Sequence, residues 1–196
     1  MTYEPNGRHR RSIRLQDYDY SSAGGYFVTI CTKNREHLFG EIVDGTMHMI
    51  PVAHLVQECW DDLAKHHRNI DLDAFLIMPN HIHGIVLILD AWVGAIHESP
   101  LLTSFLERRR MLLPRIVGRF KMRSAKRINE LRRTPGDAVW QRNYFEHIIR
   151  DERSLNKIRE YIMTNPERWQ YDRENRERTG TDAIDTWLES EGHRSF

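Results

Sequence analysis

The sequence predicts an α+β fold: a ferredoxin-like antiparallel sheet with the element order βαββαβ and an additional C-terminal helix. Two observations predict it. Runs of β-branched and aromatic residues alternate with stretches of helical periodicity, and they do so in that order. The two most apolar of the four main strands are the first and the third, which are the central strands of this fold.

The first half of the chain supplies three main strands and one helix. Residues 26–32 form a buried strand, because they are β-branched and aromatic and follow a Gly-Gly pair. A turn at Gly45 leads into an irregular hairpin near residues 47–50. Residues 72–78 and 81–89 form two more strands, separated by the turn signal Pro79-Asn80. Between them and the hairpin, residues 51–67 form a helix with Pro51 in its first turn and apolar residues at helical spacing: Val52, Leu55, Val56, Cys59, Trp60 and Leu63.

The second half supplies helices and one strand. Residues 90–100 are a loop, and residues 104–113 are a short helical or loop segment. A helix over 114–131 buries Ile116, Val117, Phe120, Ile128 and Leu131 and stops at the turn 134–137. Residues 144–149 form the fourth main strand. A helix over 151–165 buries Leu155, Ile158 and Ile162 and ends at Pro166. Residues 182–189 form a small terminal helix.

Composition indicates a soluble globular protein of one domain. The chain has 196 residues, of which 40% are hydrophobic and 29% charged. It has no apolar run of membrane-spanning length, and residues 1–14 lack the apolar stretch of a signal peptide. Cys31 and Cys59 lie in apolar periodic segments, as buried thiols of a reducing compartment do. We therefore expect a cytoplasmic protein without membrane contact.

Charge is distributed unevenly, although the net charge is only +1. Residues 105–133 carry eleven basic side chains against Glu107 and Glu130, and residues 172–191 are acidic on balance. A basic surface of this kind predicts a polyanionic partner, with a solvated helix face as the plain alternative. The candidate nucleic-acid-binding residues are Arg8, Arg10, Arg11, Arg14, Arg115, Arg119, Lys121, Arg123, Lys126 and Arg127.

His81 and His83 are the first candidates for chemistry. Side chains alternate along a strand, so both imidazoles project to the same face, where they can bind a divalent metal. Gly84 removes a side chain beside them, which predicts room for the backbone of a ligand. A His-x-His pair can also be structural, and a zinc site that adds His147 is a further alternative.

Tyr161 is the second candidate, as a nucleophile on the last long helix. A phenol with a pKa near 10 needs a neighbouring metal ion or base to activate it. Asn165 lies four residues later on the same helix face, where its amide oxygen can be a third metal ligand. Two other tyrosines compete, Tyr144 and Tyr171, and a tyrosine at the edge of a packed face is the plain alternative.

Four motifs together resemble the REP-associated tyrosine transposases, a branch of the single-tyrosine HUH (His-hydrophobe-His) transposases. They span residues 26–32 (YFVTICT), 78–84 (MPNHIHG), 140–150 (WQRNYFEHIIR) and 160–166 (EYIMTNP). The resemblance implies that His81 and His83 bind the metal, that Tyr161 is the nucleophile and that Asn165 completes the metal site. It divides the chain into a basic N-terminal arm (1–22), an HUH transposase-like domain (23–170) and an acidic C-terminal tail (171–196).

The resemblance implies DNA transposition by single-strand nicking and strand transfer, through a 5′-phosphotyrosine intermediate. The cofactor would be Mg²⁺ or Mn²⁺, and the partner single-stranded DNA or DNA hairpins with palindromic repeats. The protein would act as a monomer or a homodimer. The main alternative is a catalytically inactive, domesticated protein that binds DNA hairpins.

Overall fold

The computed structural model describes residues 18–89 and 111–192. Within them the chain forms two sheets, four α-helices and two 3-10 helices. The strands are β1 (Gly24–Cys31), β2 (Gly40–Val43), β3 (Thr46–Met49), β4 (Ile70–Met78), β5 (His81–Ile88) and β6 (Phe145–Ile149). The helices are α1 (Pro51–His66), α2 (Leu112–Arg132), α3 (Glu152–Thr164) and α4 (Ala183–Gly192), and the 3-10 helices are Lys33–Arg35 and Pro166–Tyr171.

The main sheet has the strand order β4-β5-β1-β6, with every neighbouring pair antiparallel. Counted among the main-sheet strands alone, this is the order of a ferredoxin-like sheet, with the first and third strands in the centre. The predicted fold class is therefore confirmed. In the register of the central pair, Thr29 lies opposite His83 and Cys31 lies opposite His81.

Helices cover both faces of this sheet. One face carries alternate residues of β1 and β5, including Val28 and Ile82, and packs against α1 and α2. The opposite face, which includes Phe27 and Ile85, packs against α3 and α4. Side chains alternate between the faces of a strand, so His81 and His83 share the second face with Phe27. The histidine pair therefore lies under the C-terminal helices, across the sheet from the basic helix α2.

Local signals explain where several helices begin and end. Pro51 is the first residue of α1, as its fixed φ favours. Asp151 caps α3 by accepting a hydrogen bond of 2.7 Å from the backbone N–H of Ser154. Asn165 keeps helical backbone angles although proline follows it, because the chain continues directly into the 3-10 helix Pro166–Tyr171. Strands β2 and β3 pair as an antiparallel hairpin around Gly45, where the sequence predicts an irregular hairpin.

Gly84 does not leave room for a ligand, contrary to the sequence-based expectation. By strand alternation it shares a face with Ile82 and not with the histidines. The ring of Trp60 occupies the space above it, and a Cβ at Gly84 would lie 2.4 Å from that ring. Trp60 is itself stacked on Phe75, with 4.6 Å between ring centroids. The glycine thus accommodates a buried tryptophan.

Candidate active site

The two histidines face each other at the start of β5. The Nε2 atoms of His81 and His83 are 3.0 Å apart, and both rings are buried. Each Nδ1 has a partner of its own: the amide oxygen of Asn80 lies 2.8 Å from His81 Nδ1, and the Thr29 hydroxyl lies 2.9 Å from His83 Nδ1. These outer contacts orient the rings so that both Nε2 atoms point to one place.

The carboxylate of Asp172 reaches the same place from the C-terminal part of the chain. Its Oδ2 atom lies 3.7 Å from His81 Nε2 and 3.8 Å from His83 Nε2. Asp172 directly follows the 3-10 helix Pro166–Tyr171, and the backbone N–H of Glu174 donates to its other oxygen at 2.6 Å. In residues 18–89 and 111–192, these three side chains gather their potential ligand atoms within 4.8 Å.

The three ligand atoms of His81, His83 and Asp172 fit a divalent cation. A triangle with sides of 3.0, 3.7 and 3.8 Å has a point about 2.1 Å from every corner, which is a usual distance from a metal to imidazole nitrogen or carboxylate oxygen. Two imidazoles and one carboxylate leave further coordination positions for substrate or water. The group can therefore hold a divalent metal ion.

Burial and neighbouring groups keep His81 and Asp172 in the protonation states that metal binding requires. Burial lowers the pKa of His81 to about 4, so the imidazole is neutral at physiological pH. Burial alone would raise the pKa of Asp172, but the neighbouring rings of His81 and His83 and the amide of Asn165 outweigh it and hold that pKa well below its usual range. A neutral imidazole and an ionised carboxylate are the ligating forms.

Tyr161 lies on α3 directly beside this group. Its ring centroid is 5.2 Å from that of His83, and the side chain is only 1% exposed. Its hydroxyl donates a hydrogen bond of 3.3 Å to the carboxylate of Asp185 on α4. Burial raises the pKa of Tyr161 well above its ordinary value, and the charges of Asp172 and Asp185 raise it further. In this arrangement the phenol is a neutral hydrogen-bond donor, and α4 covers it.

Asn165 meets the group through Asp172. Its side-chain nitrogen donates to Asp172 Oδ2 at 3.0 Å. Its side-chain oxygen is buried and has no hydrogen-bond partner among the residues that the structure describes. The sequence analysis proposed Asn165 as a metal ligand and did not identify Asp172. In the structure the two side chains are hydrogen-bonded to each other beside the histidines.

Comparison with known proteins gives two relatives by sequence. No protein-family model matches the chain. A Haemophilus influenzae protein named "Uncharacterized protein" is 39% identical over 172 residues, which are 87% of this chain and 95% of the relative. A second protein of that species, named "Putative REP-associated tyrosine transposase", is 24% identical over 177 residues, 90% of this chain and 84% of the relative. The chain belongs to the same family as the first protein. It is also a more distant relative of the second protein, which is named as a putative REP-associated tyrosine transposase.

Two solved structures are also similar. One is described as a REP-associated tyrosine transposase bound to a REP hairpin; it has 16% identity and a TM-score of 0.46 over 80% of this chain and 72% of that chain. The other is described as a putative transposase from Deinococcus radiodurans, with 19% identity and a TM-score of 0.42 over 76% of this chain and 96% of that chain. Both TM-scores are below 0.5, so no conclusion on function rests on these structures.

Six of the basic residues predicted to bind nucleic acid lie on α2, across the sheet from the metal-binding group, and several of them have partners there. Arg123 pairs with Asp62 at 3.1 Å and Arg127 pairs with Glu58 at 2.6 Å, both on α1. Lys126 lies 3.9 Å from Glu130, and Lys121 donates to the backbone oxygen of Arg142 at 3.0 Å. Arg115 is exposed, and Arg119 is partly buried. The predicted residues Arg8, Arg10, Arg11 and Arg14 lie outside the described residues.

Arg35, a positively charged residue that the sequence analysis did not single out, lies near the histidines. Arg35, at the end of the first 3-10 helix, donates from Nε to Glu174 Oε2 at 2.8 Å and keeps part of its guanidinium exposed. Asn34 and Arg35 both have positive φ, a conformation that is rare for side chains other than glycine. Glu174 also accepts from the Cys31 thiol at 3.2 Å. No local sequence pattern indicates that Asn34 and Arg35 both adopt positive φ, so the position of Arg35 could not be predicted from the sequence.

The alternative zinc ligand and the alternative nucleophiles that the sequence suggests are not part of the metal-binding group. The ring of His147 lies 5.6 Å from the ring of Trp187 in a tilted arrangement and is not part of the group formed by His81, His83 and Asp172. Tyr144 packs against the core on the α1 and α2 side, and Tyr171 is 39% exposed. Tyr161 is therefore the candidate nucleophile that the structure places against the histidines.

None of the helices in the described ranges combines the length and the apolar character that crossing a membrane requires.

Proposed function

We propose that this chain is an HUH-type tyrosine transposase. It nicks single-stranded DNA at hairpins or palindromic repeats in a metal-dependent reaction and transfers the strand. The observation that carries this proposal is the packing of the Tyr161 ring against His83, whose Nε2 belongs to the His81, His83 and Asp172 group. A phenol beside a divalent metal site is the arrangement that tyrosine-mediated phosphodiester cleavage needs.

His81, His83 and Asp172 would hold the cation, and the buried side-chain oxygen of Asn165 is a candidate for a further ligand. A bound Mg²⁺ or Mn²⁺ would polarise the scissile phosphate and stabilise the leaving oxygen. Imidazole ligands make Mn²⁺ a suitable occupant, and the carboxylate suits both ions.

Tyr161 would supply the nucleophile. Its oxygen would form a bond to phosphorus while the bond from phosphorus to the 3′ oxygen breaks, which leaves a 5′-phosphotyrosine and a 3′ oxygen that takes a proton from water to become a hydroxyl. The phenol proton goes to a base, and Asp185 is the carboxylate that accepts a hydrogen bond from this phenol. Because the phosphotyrosine bond keeps the energy of the phosphodiester, the step can be reversed onto another strand without ATP.

Because the site is buried, the protein must open before DNA can react there. Tyr161 and His81 are almost fully covered, so a DNA strand reaches them only after covering residues of the segment 166–192 move. The partly exposed Arg35 would contact phosphates near the site, and α2 would contact DNA farther away. The basic residues of the N-terminal arm are further proposed DNA contacts. Palindromic hairpins are proposed as substrates from the sequence motifs and the named relative, and the assembly as monomer or homodimer stays a prediction.

A nicking assay tests the proposal. End-labelled single-stranded DNA that contains a palindromic hairpin is incubated with the protein and Mn²⁺ or Mg²⁺, and the products are separated under denaturing conditions. We expect site-specific cleavage by the wild type, loss of cleavage in Tyr161→Phe and unchanged cleavage in Tyr171→Phe. Tyr171 is the matched control because it is an exposed tyrosine outside the site.

Two results would contradict the proposal. Cleavage that survives in Tyr161→Phe would exclude Tyr161 as the nucleophile. Tight hairpin binding without cleavage under either metal would support the inactive, DNA-binding alternative.

A further inference from the structure

The side chain of Asn80 contacts three separate parts of the chain around the candidate site. It lies in the turn between β4 and β5 and is completely buried. Its side-chain oxygen lies 2.8 Å from His81 Nδ1. Its side-chain nitrogen donates to the backbone oxygen of Glu174 at 2.9 Å and to that of Arg35 at 3.4 Å.

These partners fix the orientation of the Asn80 amide. Backbone oxygens only accept hydrogen bonds, so the NH₂ group must face Glu174 and Arg35, and the amide oxygen must face His81. An amide oxygen also only accepts, so the proton of a neutral His81 must be on Nδ1. His81 Nε2 is then a lone pair directed at His83 and Asp172, as a metal ligand must be.

The same amide also holds the segment that carries Asp172. The backbone oxygen of Glu174 is bonded to Asn80, and the backbone N–H of Glu174 donates to Asp172 Oδ1 at 2.6 Å. One side chain of the β4–β5 turn therefore connects the histidine strand with the residue that supplies the carboxylate.

The other histidine has a different kind of partner. A hydroxyl can donate or accept, so Thr29 permits either tautomer of His83. Without a metal, the lone pair of His81 Nε2 faces His83 Nε2 at 3.0 Å, which calls for a proton on His83 Nε2. With a metal on both Nε2 atoms, that proton must be on Nδ1, where it donates to the Thr29 hydroxyl.

We propose that Asn80 is the positioning residue that assembles this metal site, holding His81 in one tautomer and Asp172 in place, while Thr29 lets His83 change tautomer when a metal binds. This inference rests on the proposed metal site. It concerns which ring nitrogen carries a proton, so it can be tested independently of DNA cleavage.

The direct test is nuclear magnetic resonance of protein with ¹⁵N-labelled histidine, in which couplings to the ring protons distinguish the two tautomers. In metal-free wild type at neutral pH we expect His81 protonated on Nδ1 and His83 on Nε2. Addition of Zn²⁺ as a diamagnetic probe should move the His83 proton to Nδ1 and leave His81 unchanged. His81 protonated on Nε2, or a metal-bound His83 that keeps its Nε2 proton, would overturn the proposal.

Variants test the positioning role through metal affinity, measured by the visible absorption of bound Co²⁺. Asn80→Ala should bind Co²⁺ about 10- to 100-fold more weakly than wild type, as loss of an outer partner of a metal ligand typically does. Thr29→Val should also weaken binding, and Thr29→Ser, which keeps the hydroxyl, should restore it. Asn129→Ala is the matched control, because Asn129 is another buried asparagine but lies on α2.

The outcomes separate this inference from the proposed function. Unchanged Co²⁺ affinity in a folded Asn80→Ala variant overturns the positioning role, whether or not the wild type cleaves DNA. If the Asn80→Ala variant does not fold, the tautomers of His81 and His83 in the wild type still test the inference. Wild type that shows the expected tautomers and binds metal, yet never cleaves DNA, supports the inference and contradicts the proposed function.

Discussion

Replacing Asp172 with asparagine changes the candidate metal site with little change in shape. The substitution keeps the size of the side chain but removes the charged ligand, so only the two imidazoles remain as strong ligands. Asp172 is fully buried at 3.7 and 3.8 Å from the two Nε2 atoms, and we expect its loss to weaken binding of Mn²⁺ strongly.

The expected size of the effect follows from linkage between binding and folding. At a metal concentration 100 times the dissociation constant, a bound ion stabilises the folded wild type by about 2.7 kcal/mol. For a chain of this length, each kcal/mol raises Tm by about 2–4 °C, so the metal-induced shift should be about 5–11 °C. If Asp172→Asn binds about 100-fold more weakly, the same concentration gives about 0.4 kcal/mol and a shift of about 1 °C.

Differential scanning calorimetry with and without Mn²⁺ measures these shifts. The metal-induced shift is compared within each variant, so a change in metal-free Tm cancels. Asp182→Asn is the matched control: Asp182 is another buried carboxylate of the same segment but pairs with Arg168. Its metal-induced shift should equal that of the wild type. Equal shifts in wild type and Asp172→Asn, or no shift in wild type, would refute the assignment of Asp172 as a ligand.

Two further predictions concern packing and pH. Gly84→Ala should lower the free energy of unfolding in urea by about 1–3 kcal/mol, because its Cβ would lie 2.4 Å from the buried ring of Trp60. Gly118→Ala on α2, where a Cβ meets nothing within 4 Å, should instead raise it by up to about 1 kcal/mol, and equal effects at the two sites would contradict the packing argument. Burial, and then the charge of Asp172, raises the pKa of Asp185 from 3.8 to about 6. The folded protein therefore binds an extra proton between these values, and this contribution to stability is complete at lower pH and is lost as the pH rises through about 6. Asp185→Asn should consequently gain in unfolding free energy relative to wild type as the pH rises through this window, and a difference that does not change with pH would exclude the effect.

The sequence allows much of the fold and half of the site to be predicted, because those parts depend on local patterns. Strand alternation alone places His81 and His83 on one face, and helical spacing places Tyr161 on a packed helix. The same rule puts Gly84 on the opposite face, so the sequence could predict that Gly84 does not face the histidines. Its contact with Trp60 could not be predicted in this way.

The rest depends on contacts between distant parts of the chain. Asp172 and Asp185 lie in a segment whose charged composition suggested an acidic tail outside the domain. Ile184 and Leu188, spaced as on one helix face, are the signal that this segment packs on the sheet. The pairing of Arg127 with Glu58 depends on how two helices pack, which no local pattern of the sequence specifies.

The proposed function requires Tyr161 to become covalently joined to DNA at this metal site. Mass spectrometry can detect such a bond after the protein has reacted with hairpin-bearing single-stranded DNA and Mn²⁺ and has been digested with nuclease and protease. We expect a peptide in which Tyr161 carries a nucleotide through its 5′-phosphate, and no such peptide in Asp172→Asn. An adduct on another residue, or cleaved DNA without any protein adduct, would contradict it.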